Sequence, residues 1–324
     1  MKLASLKQGG RDGTLIVVDR ELTRYTAVPD ISKTMQQALE NWSELAPELE
    51  ECYQALNDNN ISSQAIIFEK LAAPLPRSYQ WLDGSAYLPH VERVRKARGA
   101  EVPDSFYDDP LMYQGGSDFM LGPRDPIVAA DEAWGIDLEA EVAVITDDVS
   151  QGIDASIAGR HIKLLMLVND VSLRNLIPAE LAKGFGFLHG KPPTAFSPVA
   201  VTPDELGNAW QANKVHLPLI SHFNDELLGN PDAGQSMQFD FARLIQHAAT
   251  TRPLSAGCII GSGTVSNAEL SSGCSCLAEK RVLEIINDGK TSTPFLKHGD
   301  RVRIEMLDQE QRSIFGAIDQ VVQP

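Results

Sequence analysis

Hydrophobic and polar positions alternate in two short runs near the start of the chain, at residues 14–19 and 22–28. A period of two is typical of strands with one buried face, so these runs predict a β-hairpin. Between residues 32 and 56 the apolar side chains instead recur every three or four positions, which predicts a helix with one apolar face. Pro47 lies inside this stretch and predicts a break or kink near Ala46.

From Leu71 onward the pattern changes to short apolar runs separated by Gly, Pro and Asp, which is typical of a β-rich region. Residues 154–163 and 240–250 are predicted as short helices, and residues 283–286, 301–306 and 313–322 as closing strands. We therefore expect a mixed, mainly-β fold, with a small N-terminal β/α domain at residues 1–70 and a large β-rich domain at residues 71–324.

The charge of the chain excludes some classes of partner. Its 324 residues include 28 basic and 44 acidic side chains, and the resulting net charge of −16 opposes binding to nucleic acid or to an anionic membrane. The N-terminus shows no signal-peptide pattern, and no run approaches the ~18 apolar residues of a membrane span. These observations predict a cytoplasmic protein that binds neither nucleic acid nor membranes.

The four cysteines are too few and too unevenly spaced to predict a disulfide framework. Cys274 and Cys276 form a C-x-C pair, but no second cluster of thiols or imidazoles accompanies them. The pattern therefore favours buried structural thiols over a zinc site.

Two glutamates, Glu139 and Glu141, share one face of a predicted strand over residues 135–145. Both faces become apolar after Glu141, so the carboxylates lie at the margin of a buried strand, where they repel each other and lose hydration. A hard cation with oxygen ligands, Mg²⁺ or Ca²⁺, would neutralise them. The alternative is a half-exposed strand end with two solvated glutamates.

A third carboxylate, Asp170, follows the continuous apolar run of residues 164–168, which is typical of a strand buried on both faces. Arg174 comes four residues later. Considered by itself, Asp170 could equally begin a turn or cap a helix.

Four segments between residues 139 and 267 resemble, in order, the core of the fumarylacetoacetate hydrolase family. They are E-A-E-V, V-N-D-V-S-L-R, G-K-P-P-T-A-F-S-P and G-S-G-T-V-S-N. The resemblance covers roughly residues 70 to 324 and implies a C-terminal β roll of that family's type, with Glu139, Glu141 and Asp170 as ligands of a divalent metal. It also implies a homodimer.

Three further segments resemble those of true fumarylacetoacetases. The loop W-L-D-G-S-A-Y-L-P-H matches the one that holds a fourth metal ligand and, seven residues on, the catalytic histidine, which implies these roles for Asp83 and His90. The segment Y-Q-G-G-S implies that Tyr113 contacts substrate. The stretch G-C-S-C-L-A-E implies that Glu279 is the partner of the histidine.

The resemblance, with the chemistry of diketone cleavage, gives each residue an expected role. His90 would activate water and Glu279 would orient His90. Lys191 would stabilise charge near the metal, Arg174 would hold a substrate oxygen, and Thr264 and Tyr113 would bind a distal carboxylate. The expected partner is a small anionic diketo acid.

Three departures from the family pattern concern the substrate pocket. Ile177 replaces a glutamine that touches substrate, Lys191 is followed by two prolines in a shortened segment, and Ser85 replaces an aromatic residue. The favoured reaction is hydrolysis of 4-fumarylacetoacetate to fumarate and acetoacetate. Hydrolysis of fumarylpyruvate or another acylpyruvate, oxaloacetate decarboxylation and 2-keto-4-enoate hydration are the alternatives, and a non-catalytic metal-bearing scaffold is a third class.

Overall fold

The computed structural model of the protein describes residues 1–97 and 104–324, and short β-strands make up most of its regular structure. In chain order the strands are β1 Lys2–Leu6, β2 Thr14–Val18, β3 Arg24–Ala27, β4 Gln64–Ala65, β5 Trp81–Gly84, β6 Met112–Gly115, β7 Ile127–Val128, β8 Ile136–Asp137, β9 Ala140–Thr146, β10 Ile162–Asn169, β11 Ser172–Leu173, β12 Ala195–Phe196, β13 Ala200–Val201, β14 Trp210–Gln211, β15 Lys214–Val215, β16 Leu219–Phe223, β17 Glu226–Gly229, β18 Ile259–Gly261, β19 Arg301–Met306 and β20 Ile318–Gln323. The helices are α1 Met35–Glu40, α2 Trp42–Asn57, α3 Leu88–Ala97, α4 Ala155–Ala158, α5 Ile177–Leu181, α6 Phe241–Ala248 and α7 Leu277–Asp288.

Most strands of the described chain join one large sheet, in the order β4-β3-β2-β1-β13-β10-β9-β18-β5-β6, with β12 also paired to β10. A second sheet has the order β17-β16-β19-β20-β7. Successive residues of β9 point into two different hydrophobic cores, since Val142 and Val144 belong to one and Ala143 and Ile145 to the other. The predicted mainly-β class, with a small N-terminal β/α unit, is confirmed.

The N-terminal unit is continuous with the large sheet. The predicted hairpin is present as β2 and β3, and β1 pairs with β2 on one side and with β13 on the other. Hydrogen bonds between strands therefore join the first residues directly to the C-terminal part of the chain. The boundary at residue 70 stays a prediction.

A break or kink is predicted near Ala46; the break is wrong, and the kink stays a prediction. The helical stretch is interrupted at Asn41, between α1 and α2, and Pro47 lies inside α2. Pro47 is the sixth residue of α2, so its missing N–H removes only one bond close to the start of the helix. This position makes the proline tolerable without a second break.

The closing strand predicted at residues 283–286 is also wrong, because these residues lie within helix α7. Ile285 and Ile286 are 41% and 39% exposed, so their apolar run covers part of the surface and does not enter the sheet. The strand at 301–306 is present, whereas that at 313–322 begins only at Ile318. Both predicted short helices are present, each with an aspartate cap, at Asp154 and Asp240.

The candidate chemistry lies where several strands of the large sheet end together. β9 lies between β10 and β18, and β18 pairs in parallel with β5. This order brings residues 83, 141 and 170 to one region of the sheet. No helix in the described ranges is long and apolar enough to cross a membrane.

Candidate active site and metal centre

Three of the four predicted metal ligands form a compact buried cluster. Candidate ligand atoms of Asp83, Glu141 and Asp170 all lie within 4.8 Å of one another. Asp83 is on β5 opposite Gly261, where a β-carbon would lie 2.4 Å from the Asp83 Oδ1 atom, so the glycine makes room for the carboxylate. Asp170 follows β10 directly, and Glu141 pairs with Val168 of the same strand.

No hydrogen bond in the described part of the chain offsets the burial of Glu141. Its side chain is fully buried, and neither carboxylate oxygen has a hydrogen-bond partner in the described part of the chain. Burial, together with the negative charges of Asp83 and Asp170, raises the pKa of Glu141 well above its usual value. Burial and the charge of Asp170 likewise raise the pKa of Asp83.

This cluster fits a hard divalent cation. An orphaned buried carboxylate costs several kcal/mol of desolvation unless a positive charge compensates it. Asp83, Glu141 and Asp170 offer only oxygen donors, which are the ligands preferred by Mg²⁺, Ca²⁺ and Mn²⁺.

Glu139, the fourth predicted ligand, is bound by cations of the protein itself. Arg174 donates from Nη2 to Glu139 Oε1 at 2.7 Å, and Lys191 donates from Nζ to Oε2 at 2.6 Å. Although burial raises the pKa of Glu139, the charges of Arg174 and Lys191 outweigh this effect and lower it overall. Two glutamates only two residues apart therefore have opposite electrostatic environments.

Lys191 and Tyr113 both contact Asp170. The Lys191 ammonium lies 2.5 Å from Asp170 Oδ2, and the Tyr113 hydroxyl donates to the same oxygen at 2.6 Å. Thr194 donates to the other oxygen at 2.8 Å. The Tyr113 ring packs edge-to-face against Phe187, with ring centroids 5.1 Å apart.

His90 and Glu279, the predicted pair, are in contact. His90 Nδ1 lies 2.7 Å from Glu279 Oε2, although 189 positions separate the two residues in sequence. Trp81–His90 is a strand followed by the first turn of helix α3, so the predicted loop is wrong and His90 has a helical position. Glu279 lies in the first turn of α7 and is fully buried.

The Glu279 carboxylate also accepts bonds from Arg93 and from the Ser266 hydroxyl. Burial raises the pKa of Glu279, but the bond with His90 and the charge of Arg93 lower it overall. Cys276, whose Sγ accepts the Glu279 N–H at 3.3 Å, lies in the same group of potential ligands. Because Arg93, Ser266 and His90 already bind the carboxylate, we interpret this group as a hydrogen-bonded dyad.

The N-terminus of α7 is held by a residue that sequence reasoning missed. Asp137 accepts the N–H groups of Leu277 and Ala278 at 2.8 and 2.9 Å, and it accepts Arg174 Nε at 2.8 Å. Because Arg174 binds both Asp137 and Glu139, it links the helix of the dyad to the acidic cluster. The signal was available, since Asp137 alternates with Glu139 and Glu141 in D-x-E-x-E.

Arg93 and Glu180 were missed as well. Arg93 lies three residues after His90, and helical spacing would have placed both on one face of α3. Glu180 accepts the N–H groups of residues 188, 189 and 190 and thereby fixes the segment that leads into Lys191. Neither role can be predicted from the sequence if the surrounding segments are assigned as loops.

His90 of the dyad and Asp83 of the acidic cluster line one cavity of about 160 Å³. Every residue predicted to contact substrate lines it, as do Ser85 and Ile177, two of the departures from the family pattern, whereas Pro192 and Pro193 line a different cavity. The lining of the first cavity includes Asp83, Ser85, Tyr87, His90, Tyr113, Glu139, Arg174, Ile177, Phe187, Lys191 and Thr264.

The backbone beside Asp83 needs a glycine. Gly263 has a φ of 76°, and a β-carbon there would lie 2.2 Å from the Gly84 carbonyl oxygen. Its N–H donates to Asp83 Oδ1 at 3.0 Å. The glycine therefore lets the chain that carries Thr264 approach the metal cluster.

Comparison with known proteins agrees with this architecture. The family described as fumarylacetoacetate (FAA) hydrolase C-terminal matches residues 80–323, and that described as fumarylacetoacetase N-terminal domain 2 matches residues 1–77. The mitochondrial oxaloacetate tautomerase FAHD2B of Bos taurus is 28% identical over 159 residues. That match covers 48% of each chain, so it spans about half the length of the relative.

Solved structures share the fold at low sequence identity. The fumarylacetoacetate hydrolase EaFAH of Exiguobacterium antarcticum has a TM-score of 0.69 and 19% identity, over 100% of this chain and 99% of that one. A maleylpyruvate hydrolase of Sphingobium sp. SYK-6, in complex with manganese(II) and pyruvate, has a TM-score of 0.65 and 17% identity, over 99% and 98%. A probable 2-hydroxyhepta-2,4-diene-1,7-dioate isomerase of Mycobacterium abscessus has a TM-score of 0.67 and 19% identity, over 100% of both chains.

These proteins carry the names of hydrolases, an isomerase and a tautomerase, so the shared scaffold does not by itself select a reaction. The two family matches cover nearly the whole length of the protein. The chain belongs to the fumarylacetoacetate hydrolase family.

Proposed function

We propose that the protein hydrolyses a carbon–carbon bond in a β-diketo acid, with 4-fumarylacetoacetate as substrate and fumarate and acetoacetate as products. The observation that carries the proposal is the 2.7 Å contact between His90 and Glu279, because His90 lines a cavity that is also lined by Asp83 of the carboxylate cluster. A hydrolase needs a base that activates water beside the group that polarises the substrate, and this cavity offers both.

His90 is the proposed base. Since Nδ1 faces the Glu279 carboxylate, we assign the proton of the neutral ring to Nδ1, which leaves Nε2 as the acceptor. Glu279 then stabilises the imidazolium that forms when His90 takes a proton from water. A water-activating histidine of this kind typically contributes ~10²–10⁴ in rate.

Asp83, Glu141 and Asp170 are the proposed ligands of a divalent cation, Mg²⁺ or Ca²⁺, with Glu139 next to them. A cation bound there would supply positive charge that polarises a diketone and stabilises an enolate leaving group. Glu139 lies outside this group of candidate ligand atoms, and its oxygens accept from Arg174 and Lys191, so we propose that it orients these two cations.

Lys191 and Arg174 bring positive charge to the cavity wall. We propose that the Lys191 ammonium, between Glu139 and Asp170, stabilises negative charge that develops on the substrate. Arg174 is engaged with two carboxylates, and we propose that it orients Glu139 while facing the substrate. Tyr113 and Thr264 line the same cavity and are the proposed contacts for a substrate carboxylate.

One observation favours a second candidate substrate. Ile177 is buried and lines the cavity. Its apolar side chain stands where the family pattern has a glutamine, so this part of the cavity wall is apolar. An acylpyruvate with a shorter or less polar acyl arm would suit such a wall, so acylpyruvate hydrolysis is the second candidate. The contact between His90 and Glu279 argues against a non-catalytic scaffold, since a scaffold has no need of an oriented base.

The proposed reaction is the last step of tyrosine and phenylalanine breakdown, and we place it in the cytoplasm and in a homodimer. Both assignments extend the family resemblance.

The decisive experiment measures loss of diketone absorbance by metal-loaded protein with 4-fumarylacetoacetate, fumarylpyruvate, acetylpyruvate and oxaloacetate in parallel. A kcat/KM for fumarylacetoacetate at least about tenfold above the others is expected, since its two ends can meet both walls of the cavity. Cleavage of pyruvate derivatives alone would select the second candidate. Decarboxylation of oxaloacetate that survives His90→Ala would overturn the hydrolase assignment.

A further inference from the structure

Arg93 joins three separate parts of the site. It lies on α3 one turn after His90, and its Nη1 donates to Glu279 Oε1 on α7 and, at 3.0 Å, to Ser266 Oγ. Its Nη2 donates to the carbonyl oxygens of Asn267 and Ala268 at 2.7 and 3.0 Å. The guanidinium therefore uses both terminal nitrogens, and its side chain is only 11% exposed.

The bonds of Arg93 fix the orientation of Glu279. One carboxylate oxygen, Oε1, is bound by Arg93 and by the Ser266 hydroxyl at 2.9 Å, which leaves Oε2 for His90 at 2.7 Å. Rotation of the carboxylate would break bonds on both oxygens at once. Planar guanidinium groups are well suited to hold a carboxylate in one orientation.

We infer that Arg93 is a positioning residue for the His90–Glu279 dyad, acting through Glu279 to keep one carboxylate oxygen on His90 Nδ1 and to share the carboxylate's negative charge. This inference rests on the proposed function, in which His90 is the base. Arg93 does not line the cavity that holds the reacting groups, so its effect on the reaction passes through its neighbours.

The alternative is that Arg93 is only a structural cross-link between α3 and the segment 266–268. The two roles differ in their effect on His90. A cross-link affects folding alone, whereas removal of a positive charge beside the dyad also changes how readily the imidazole accepts a proton.

Several charged groups surround His90 and enter this argument. Glu279 on α7 contacts His90, and Arg93 lies on the same helix as His90. Glu139, which directly precedes β9, is close enough for a charge on His90 to lower the pKa of Glu139. Cys276, at the N-cap of α7, belongs to the same group of neighbours. Arg174 and Lys191 bind Glu139 and line the same cavity as His90. Arg93 is instead the cation bound to Glu279, so its removal leaves the charge of Glu279 less compensated.

The test replaces Arg93 with methionine, which keeps much of the side-chain length and removes the charge. We expect kcat to fall about 10- to 100-fold with KM changed less than about threefold, because the misplaced dyad affects the chemical step. We also expect the acid-side midpoint of the kcat/KM profile to rise by roughly one pH unit, because the dyad holds its proton more tightly without the neighbouring cation.

Two variants serve as controls. Arg281→Met removes the same charge from α7, but Arg281 bonds Thr293 and covers the Phe295 ring away from the dyad, so the profile should not move. Arg93→Lys keeps the positive charge and should recover most of the midpoint and part of kcat. If Arg93→Met fails to fold, Arg93→Lys alone tests the inference. It should then show only a partial loss of kcat, with an acid-side midpoint of the kcat/KM profile close to that of the wild type.

A second readout does not depend on turnover. Titration of His90 by ¹⁵N-histidine NMR, assigned with His90→Gln, should show a higher midpoint in Arg93→Met than in the wild type or Arg281→Met. An unmoved midpoint, or lost activity without a shift, would assign Arg93 a structural role only and overturn the inference. A wild type that fails to cleave any diketo acid would defeat the proposed function, while the NMR titration would still decide the role of Arg93.

Discussion

One cavity has a wall beside Asp83 and a wall beside His90, and the two differ in how their buried negative charge is compensated. On one wall, Asp83 and Glu141 are buried near a third carboxylate, and the oxygens of Glu141 accept no hydrogen bond within the described ranges. On the other wall, the Glu279 carboxylate is bound on both oxygens, by Arg93, Ser266 and His90. We propose that a cation from outside the chain completes the first wall, whereas the hydrogen bonds of the second wall form within the chain.

This difference separates the two tasks of the site. A cation can be captured only where the fold leaves desolvated negative charge uncompensated, and that charge destabilises the metal-free protein. A general base works only if its orientation is set in advance, and the hydrogen bonds of the dyad stabilise that orientation. Each wall can therefore be disrupted without the other.

The largest effect is expected from His90→Ala. Removing the base should lower kcat about 1,000-fold for a β-diketo acid, since general base catalysis typically contributes ~10²–10⁴. The metal wall should remain intact, and isothermal titration with Mn²⁺ should give an unchanged Kd. Near-normal turnover in this variant would remove the dyad from the mechanism.

Glu141→Gln tests the opposite wall and should weaken metal affinity about 100-fold, because a neutral amide replaces a charged ligand. In EDTA the same variant should melt at a higher temperature than the wild type. The folded-state pKa of Glu141 is raised, so its contribution to stability is fully present below the usual value of 4.5 and is lost as the pH rises above it. The advantage of the variant in EDTA should therefore grow as the pH rises above 4.5.

Glu139→Gln is the matched control, since the pKa of Glu139 is lowered by Arg174 and Lys191. This substitution should destabilise the metal-free protein at neutral pH, and thermal melts in EDTA should show the opposite sign to Glu141→Gln. Equal shifts of the melting temperature in the two variants would contradict the contrast between the two glutamates.

Asp137→Asn probes the link between the walls. The single oxygen of asparagine cannot replace both carboxylate oxygens that bind the start of α7 and Arg174, so Glu279 should shift. We expect kcat to fall about tenfold, with little change in metal affinity, because small displacements of a catalytic group are costly. Steady-state kinetics and a metal titration on one preparation would test this, and a loss confined to metal binding would disprove it.

Ser266→Ala should have the smallest effect. It removes one of two donors to Glu279 Oε1 and leaves Arg93 in place, so a net loss of ~1 kcal/mol corresponds to a decrease in kcat of about fivefold. Ser271→Ala, on the exposed segment near α7, is the control. A loss as large as that of Arg93→Met would show that the hydroxyl, and not the guanidinium, orients the carboxylate.

Local sequence patterns indicate part of the acidic wall, whereas the His90–Glu279 dyad was predicted only through the family resemblance. The E-x-E alternation and the aspartate after a buried run are local patterns, and they place Glu141 and Asp170 correctly once the strands form. The bond between Arg93 and Glu279 spans 186 positions and depends on how α3 packs against α7. Periodicity within one segment carries no information on such packing.

The errors in the fold have the same origin. The apolar run at residues 283–286 fits a strand and a helix equally well by its pattern, and the caps at Cys276 and Gly289 decide for the helix. Pro47 breaks no helix because α2 starts only five residues before it. In both cases the structure depends on where the helix starts, and a stretch of a few residues does not show that position.

The pairing of β1 also constrains the order in which the protein can assemble during synthesis. Lys2 pairs with Val201, and Val201 pairs in turn with Leu165. At ribosomal rates of ~5–20 residues per second, the edge of β1 that pairs with β13 stays unpaired for roughly 10–40 s, until β13 has been synthesised. An unpaired edge is a template for association with other chains during that time. We therefore expect slow translation and crowded nascent chains to lower the yield of this protein more than substitutions in its cavity do.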